Sequence, residues 1–180
     1  LSLENLQNKV IVVFGGTSGI GKCICAQGEE NKARVFSASD SLGCDITDYQ
    51  QVCNFLANVY KQCGRIDYVV NSAGILRMGK LIDRDIEDIR RDVEINYLGS
   101  INIVKAAMPY LQQSQGGILL FTSSSYTRGR SLYSTYSSAK AGIVNLTQAL
   151  AEELASDKIR INVINPERTA TPMRLKAFGQ

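Results

Sequence analysis

Tyr136 and Lys140 lie four residues apart in a stretch with helical spacing, where residues 136–140 read YSSAK. Side chains at this spacing share one face of a helix, so the lysine ammonium can favour the phenolate form of the tyrosine. Such a tyrosine can exchange a proton near neutral pH, which is acid–base chemistry. A solvated helix face has the same spacing, so the pair gains meaning only from the motifs around it.

The composition restricts which other chemistry is available. The 180 residues contain no histidine, which excludes Ser-His-Asp and Cys-His catalysis and removes the commonest metal ligand. The formal net charge is +3, and the basic residues are scattered among acidic ones. The sequence therefore shows no basic cluster of the kind that binds nucleic acid or a membrane surface. We therefore expect no metal site, no nucleic-acid or membrane partner, and a small-molecule substrate handled by Tyr, Lys, Asp or Glu.

The cysteines and apolar runs indicate a cytoplasmic protein. Five cysteines form an odd set without a CxxC pair, which favours reduced thiols: Cys23, Cys25, Cys44, Cys53 and Cys63. No stretch approaches about 18 uninterrupted apolar residues, and the N-terminus lacks the basic-then-apolar pattern of a signal peptide.

Strand-length apolar runs alternate with helical patterns along the chain. The predicted strands are Val10–Phe14, Arg34–Ala38, Tyr68–Asn71, Ile118–Thr122 and Arg160–Ile164. The predicted helices are Ile20–Glu30, Tyr49–Cys63, Asp85–Tyr97, Asn102–Gln113 and Tyr136–Ala155. This alternation predicts an α/β fold with one doubly wound parallel sheet in a single domain, residues 1–180, whose ligands bind at the carboxyl ends of the strands.

Two places depart from a regular α/β pattern. Only a few residues separate the second strand from Cys44-Asp45-Ile46, which we predict as a short third strand reached by a shortened crossover. The chain also ends at Gln180, soon after the last predicted strand, and begins with Leu1 rather than Met. We expect a truncated C-terminus and a segment of a longer or fused chain.

A glycine-rich turn follows the first strand and opens a helix, which is the expected context of a dinucleotide site. Glycines there let backbone N–H groups and the helix N-terminus approach a pyrophosphate. The predicted contacts are Gly15, Thr17, Ser18, Gly19, Ile20 and Gly21. A tight turn without a ligand is the plainer alternative.

The next two strand ends supply candidate contacts to adenosine. Ser39 and Asp40 lie about 20 residues past the glycines, where an acid binds ribose hydroxyls and favours NAD. A serine at this corner tolerates the additional phosphate of NADP, so the choice between NAD and NADP stays open. Asp45 and Ile46 are predicted to bracket the adenine, with an Asx-turn as the equally plausible alternative.

Three further motifs follow in order. Asn71-Ser72-Ala73-Gly74 ends the third long strand, where small residues let a cofactor lie against the backbone. Asn96 lies inside a helical pattern, which suits an inward-facing amide that holds a water or a carbonyl. Ser123 follows the next strand, where a hydroxyl can polarise a substrate carbonyl beside Tyr136.

Together these motifs resemble those of the short-chain dehydrogenase/reductase family, in order and in spacing, from about Val10 to Met173. The resemblance implies a Rossmann-type sheet and a nicotinamide cofactor, with NADP slightly favoured over NAD. It implies that Tyr136 is the acid–base residue, Ser123 orients the carbonyl, Lys140 contacts the ribose and lowers the tyrosine pKa, and Asn96 holds a relay water. It further implies cofactor contacts from Asn71, Ala73, Gly74, Pro166 and Thr171, and a homodimer or homotetramer.

The substrate is suggested by arginines and by one segment. Arg128 and Arg130 lie between Ser123 and Tyr136, and Arg168 follows Pro166, so these arginines are candidates for binding an anionic group. Residues 165–174 resemble reductase domains fused to cytidylyltransferases in bacterial surface-polysaccharide synthesis, which implies reduction of a pentulose phosphate. The alternatives are a 3-oxoacyl-carrier or other neutral ketone reductase, and a non-catalytic dinucleotide-binding sensor or assembly module.

Overall fold

A computed structural model describes residues 6–179, and its centre is a parallel sheet of five strands. The strands are β1 (Val10–Phe14), β2 (Arg34–Ala38), β3 (Tyr68–Asn71), β4 (Gly117–Phe121) and β5 (Arg160–Ile164). Their spatial order is β2-β1-β3-β4-β5. Consecutive β1 and β2 pair on one side of β1 while β3 pairs on the other, so the winding reverses there. Ligands of open α/β sheets bind at this reversal, outside the carboxyl ends of the strands.

Helices cover the sheet and complete the crossovers. They are α1 (Gly19–Glu30), α2 (Tyr49–Cys63), α3 (Ile86–Val93), α4 (Gly99–Ser114), α5 (Ser134–Glu153) and α6 (Pro172–Phe178). A π-helical turn, Glu94–Leu98, joins α3 to α4, and 3₁₀ turns span Asp40–Leu42 and Leu81–Asp83. None of the helices within residues 6–179 is long and apolar enough to span a membrane.

The strands alternate their side chains between two unequal cores. Val12 and Phe14 point to the larger core, where they pack with Leu56 of α2, Ile103 of α4 and Ile143 of α5. The intervening Ile11 and Val13 belong to the smaller cluster against α1. Because both faces of the central strands are buried, their sequences are continuous apolar runs rather than alternating ones.

The predicted sheet is confirmed, with β4 displaced by one residue, but the short third strand is wrong. Gly43 takes a left-handed conformation (φ 77°), and the Asp45 carboxylate accepts hydrogen bonds from the Thr47 backbone N–H and hydroxyl at 2.9 and 2.8 Å. Asp48 then caps α2 by accepting from two backbone N–H groups. These local bonds turn the chain into α2, so residues 44–46 add no strand and the crossover is a short loop, as expected.

The predicted helices all form, and the middle region is more continuous than predicted. Helical structure runs from Ile86 to Ser114 through the π turn, with Pro109 inside α4. Helix α6, which the pattern analysis missed, begins with Pro172 directly after Thr171, whose hydroxyl accepts from the Arg174 N–H at 3.2 Å. A capping residue followed by proline was the available signal for this helix.

Candidate active site

A cleft of about 420 Å³ opens at the carboxyl edge of the sheet. Most predicted site residues line it: Gly15, Ser18, Gly19, Ile20, Ser39, Asp40, Asp45, Ile46, Ala73, Gly74, Ser123, Tyr136, Lys140, Pro166, Arg168 and Thr171. Six others lie outside the lining: Thr17, Gly21, Asn71, Asn96, Arg128 and Arg130. The cleft has the size of a typical small-molecule site.

The glycine turn packs directly on the loop that follows β3. Gly15 has φ +78°, and a Cβ there would lie 2.6 Å from the backbone nitrogen of Ala73. A Cβ on Gly21 would lie 2.3 Å from the carbonyl oxygen of Gly15. The Ser72 hydroxyl donates to the carbonyl oxygen of Phe14 at 3.0 Å, which joins the two loops. The glycines therefore let the turn after β1 pack against the loop after β3. They leave a surface of bare backbone at the bottom of the cleft, which we call the glycine floor.

The N-terminus of α1 faces this floor. Ser18 precedes the helix in an extended conformation and its side chain makes no capping hydrogen bond. The N–H groups of the first helical turn carry the positive end of the helix dipole and have no intrahelical partner. A pyrophosphate is the group that such a turn binds best.

The predicted adenosine corner, residues 39–46 between β2 and α2, contains both predicted pairs of contacts. The Ser39 and Ser41 hydroxyl oxygens lie 2.9 Å apart, and Asp40 is exposed at the start of its 3₁₀ turn. Ile46 is buried, and a Cβ on Gly99 would come within 2.7 Å of it.

The Asp45 carboxylate is already engaged by protein donors. Besides Thr47, it accepts from the Arg91 guanidinium at 2.7 Å. Burial by itself raises the pKa of Asp45, but the hydrogen bonds from Arg91 and Thr47 outweigh burial and lower it overall. The Asx-turn considered from sequence is therefore present. Arg91, which also lines the cleft, was not identified from sequence because its partner is 46 residues away.

Lys140 is a buried cation at the bottom of the cleft. It is 6% exposed, and its ammonium donates to the Phe121 carbonyl oxygen at 3.0 Å. That bond uses one of the three ammonium donors. Burial lowers the pKa of Lys140 to about 8. The Thr122 hydroxyl donates to the Lys140 carbonyl oxygen at 2.7 Å, so the end of β4 holds this turn of α5 in place.

Tyr136 lies beside Lys140 and Ser123. The Lys140 ammonium is 5.7 Å from the centroid of the Tyr136 ring. Burial raises the pKa of Tyr136, a hydrogen bond with Ser123 lowers it, and nearby Tyr133 raises it, with an upward net direction. The Lys140 ammonium donates to the Phe121 carbonyl rather than to the phenol, so the expected lowering of the Tyr136 pKa by Lys140 stays a prediction. Tyr136 is therefore a neutral phenol at neutral pH, which is the form that donates a proton.

Ser123 is held by the turn after β4. The backbone N–H and the hydroxyl of Ser125 both lie within hydrogen-bonding distance of the Ser123 hydroxyl oxygen, at 3.3 and 3.2 Å. Ser125 is buried, whereas Ser123 lines the cleft. This turn keeps the Ser123 hydroxyl directed to the phenol.

Asn96 lies in the π turn behind the cleft loop. Its amide accepts from the Ile75 N–H at 3.1 Å and donates to the Ile75 carbonyl at 2.9 Å. It also donates to the Asp92 carbonyl at 2.9 Å. The side chain is thus used to hold backbone, and the relay water stays a prediction.

The remaining predicted residues have distinct placements. Asn71 donates to the Ser100 hydroxyl at 2.9 Å and accepts from the Ala73 N–H, which ties β3 to α4. Arg128 and Arg130 are exposed and do not converge on the cleft, whereas Arg168 lines it and is exposed. Helix α6 adds cleft residues that sequence analysis missed, including Met173, Arg174 and Phe178.

The described residues fit a nicotinamide dinucleotide. The glycine floor is closed to any Cβ, the first turn of α1 offers N–H donors, and Lys140 is a buried cation with donors to spare. These features suit a pyrophosphate at the turn and ribose hydroxyls at the lysine.

The comparisons with known proteins agree with this geometry. The sequence model of a family described as short chain dehydrogenase matches residues 37–179. The chain is 46% identical over 177 residues to the bifunctional ribulose 5-phosphate reductase/CDP-ribitol pyrophosphorylase Bcs1 of Haemophilus influenzae, covering 98% of this chain and 37% of that protein. It is 35% identical to the human 3-oxoacyl-[acyl-carrier-protein] reductase, covering 92% of this chain and 78% of the relative.

Solved structures share the fold. The aldohexose dehydrogenase of Thermoplasma acidophilum superposes with a TM-score of 0.90 at 26% identity, covering 97% of this chain and 72% of the other. The 3-ketoacyl-(acyl-carrier-protein) reductase of Brucella melitensis, at 23% identity, gives the same TM-score and supports the fold alone. The chain belongs to the short-chain dehydrogenase/reductase family and is an NAD(P)-binding oxidoreductase of the Rossmann fold.

Proposed function

We propose that the chain reduces the carbonyl group of a pentulose phosphate, with ribulose 5-phosphate as the first substrate to test. The observation that carries this proposal is the half-buried Tyr136 beside the buried Lys140 and Ser123, in a cleft whose lining includes Arg168 and Arg174. The 46% identity to a protein named as a ribulose 5-phosphate reductase supports the substrate class. Because this chain spans 37% of that relative, the pyrophosphorylase activity is not extended to it.

The side chains divide the proposed reaction between them. A bound reduced nicotinamide supplies the hydride to the carbonyl carbon. Tyr136, protonated at neutral pH, donates its hydroxyl proton to the carbonyl oxygen, and the Ser123 hydroxyl orients that oxygen. Lys140 binds ribose hydroxyls with the donors that Phe121 does not use. In the reverse direction Tyr136 accepts the proton of the secondary alcohol.

The substrate phosphate would bind at the α6 side of the cleft. The Arg174 guanidinium lies 5.4 Å from the centroid of the Phe178 ring, and both residues line the cleft. Stacking on an aromatic ring fixes the plane of a guanidinium and leaves its N–H edge free for bidentate contact with phosphate. Arg168 lines the same side, whereas Arg128 and Arg130 are exposed outside the cleft and are left out of the proposal.

A test compares a phosphorylated and an unphosphorylated substrate. Oxidation of NADPH is followed with ribulose 5-phosphate and with ribulose, for the wild type and for Arg174→Gln. We expect KM for ribulose 5-phosphate to rise about tenfold or more, with little change for ribulose. Lys176→Gln, on the same helix but outside the cleft lining, is the control for the lost charge.

Other outcomes would support the alternatives. Preference for an acetoacetyl thioester, with no effect of Arg174→Gln, would replace the proposal with a neutral 3-oxoacyl reductase, which the human relative favours. Tyr136→Phe should abolish turnover and keep cofactor binding. Cofactor binding without turnover of any of these substrates by the wild type would indicate a dinucleotide sensor.

We also propose NADP as the preferred cofactor. Ser39 and Ser41 place two hydroxyls at the adenosine corner, where they can donate to a 2′-phosphate. The exposed Asp40 carboxylate opposes this preference, so the choice depends on a balance between hydroxyl donors and one negative charge.

The remaining proposals concern organisation. We propose that residues 1–180 act as one nucleotide-binding domain in a cytoplasmic homodimer or homotetramer, and the five free cysteines support a reducing compartment. The exposed apolar side chains of Ile86 and Val93 on α3, at 58% and 38%, are the candidates for contacts between subunits. Light scattering with size-exclusion chromatography tests the oligomeric state.

A further inference from the structure

Asp92 is a fully buried acid that none of the steps above uses. It lies in the last turn of α3 with 0% exposure, and its carboxylate pairs with the Arg84 guanidinium at 2.7 Å. The Thr135 hydroxyl donates to the same carboxylate oxygen at 2.8 Å, and Arg84 donates to the Thr135 hydroxyl at 3.0 Å. Two hydrogen bonds and one ion pair connect the three side chains in a closed triangle, which we call the Asp92 triangle.

The Asp92 triangle reaches the active site in two directions. Thr135 immediately precedes Tyr136 in the first turn of α5. On the other side, the Asp92 carbonyl accepts from the Asn96 amide, which pairs with the backbone of the cleft residue Ile75. One buried residue therefore joins the helix turn that carries the phenol to the loop that lines the cleft.

The start of α5 needs such support. Its N-terminal residue Tyr133 provides no side-chain cap, and the first turn contains no acid. Leu132, just before it, has a left-handed backbone (φ 72°) and accepts from the Gly79 N–H at 2.7 Å. Asp92 supports this turn from α3 through the hydrogen bond from the Thr135 hydroxyl, while the adjacent Arg84 guanidinium balances its charge.

The Asp92 triangle is not the arrangement that would stabilise the fold most in this space. The second terminal nitrogen of Arg84 is buried without a hydrogen-bond partner among residues 6–179. A buried ion pair with an unsatisfied donor contributes little net stability compared with apolar packing. Its arrangement is better explained by the geometry that it imposes on its neighbours.

We propose that Thr135, Asp92 and Arg84 are positioning residues that fix the Tyr136 phenol against Ser123. The inference rests on the acid–base role of Tyr136 in the proposed function. Displacement of a catalytic group by about 1 Å costs up to about 100-fold in rate, so a modest loosening of this turn lowers kcat rather than binding.

The test removes the Thr135 hydroxyl while keeping its shape. We expect Thr135→Val to lower kcat about tenfold, which is less than the roughly 100-fold loss for a displacement of about 1 Å. KM and the NADPH dissociation constant should stay within about twofold of the wild-type values. Thr135→Ser restores the hydroxyl and should recover kcat. Thr147→Val is the matched control, because Thr147 is a buried threonine of the same helix whose hydroxyl donates to the Ile143 carbonyl at 2.7 Å.

A second readout does not depend on the substrate. In protein labelled with ¹³C at the tyrosine ζ carbons, the Tyr136 signal is assigned by its loss in Tyr136→Phe. Thr135→Val should shift this signal and lower the pKa of Tyr136 as the phenol gains solvent, whereas Thr135→Ser and Thr147→Val leave both unchanged. If Thr135→Val does not fold, Thr135→Ala is measured in the same way.

The outcomes separate the two proposals. An unchanged Tyr136 signal and titration in Thr135→Val, with a loss of stability equal to that of Thr147→Val, overturns the positioning role. A wild type that does not reduce ribulose 5-phosphate overturns the proposed substrate instead, while the NMR measurement still decides the role of the Asp92 triangle.

Discussion

Replacing Lys140 by methionine should stabilise the fold while removing activity. Burial lowers the pKa of Lys140 from its ordinary value of 10.5 to about 8. At about 1.4 kcal/mol per pH unit, this difference means that burying the charged ammonium costs about 3 kcal/mol below pH 8. Methionine is similar in length but leaves the Phe121 carbonyl without its donor, which costs about 1 kcal/mol. The expected net gain is about 2 kcal/mol at pH 7.

The gain should depend on pH in a definite direction. Between pH 8 and 10.5 the unfolded chain keeps the Lys140 proton and the folded chain has lost it, so the wild type gains stability relative to the variant as the pH rises. Above about 10.5 the lysine is neutral in both states and the cost of burying the charge vanishes. For a domain of this size, 2 kcal/mol corresponds to a rise in Tm of about 4–8 °C at pH 7.

Urea unfolding of both proteins from pH 7 to 10.5, in the presence of a reductant, measures this difference. Lys22→Met is the control, because Lys22 is exposed and its removal should change stability by less than about 0.5 kcal/mol. A Lys140→Met variant that is less stable than the wild type at pH 7, or a difference that is independent of pH, would refute the reasoning.

Two further predictions concern other charges. The buried Asp67 carboxylate forms ion pairs with Arg65 and Lys9 and accepts a hydrogen bond from the Val10 N–H. Burial raises the pKa of Asp67, but these partners outweigh burial and lower it overall. The stabilisation by Asp67 is therefore present above pH 3.8 and is lost as the pH falls through the lower pKa of the folded state. Asp67→Asn should cost about 2–3 kcal/mol at pH 7. It should also weaken the dependence of urea unfolding on acid pH. At the adenosine corner, Asp40→Asn removes a negative charge and should tighten NADPH about fivefold relative to NADH in fluorescence titrations; an unchanged ratio would show that Asp40 does not face the 2′ position.

The sheet was predictable because its strands are buried on both faces and leave long apolar runs. The strand predicted at residues 44–46 was wrong although Cys44 and Ile46 are buried, as they would be in a strand. Asp45 and Asp48 accept hydrogen bonds from nearby backbone N–H groups and turn the chain into α2. Burial thus indicates a packed segment but not its hydrogen bonding. Helix α6 was missed because its exposed apolar residues, such as Leu175 at 54%, give no helical core pattern.

The candidate site shows a similar division. Glycines 15, 19 and 21 and the Tyr136–Lys140 spacing are local features, and the sequence displays them directly. The direction of the Tyr136 pKa was not predictable, because it depends on burial by loops far along the chain. Arg91 and Arg174 enter the cleft only through tertiary contacts, whereas the nearby Arg128 and Arg130 do not.

Lys140 and Asp92 together indicate how this fold distributes stability and function. Both are buried ionisable residues close to Tyr136. Lys140 lies one turn further along α5 and donates to the Phe121 carbonyl oxygen, and Asp92 accepts from the hydroxyl of Thr135, the residue before Tyr136. An apolar residue at either position would pack with a lower desolvation cost. Lys140→Met should therefore gain stability and lose turnover, whereas Asp92→Asn should lose both because it leaves the Arg84 charge buried and unpaired. This contrast separates a cation that acts at the cleft from an acid that acts only through its neighbours.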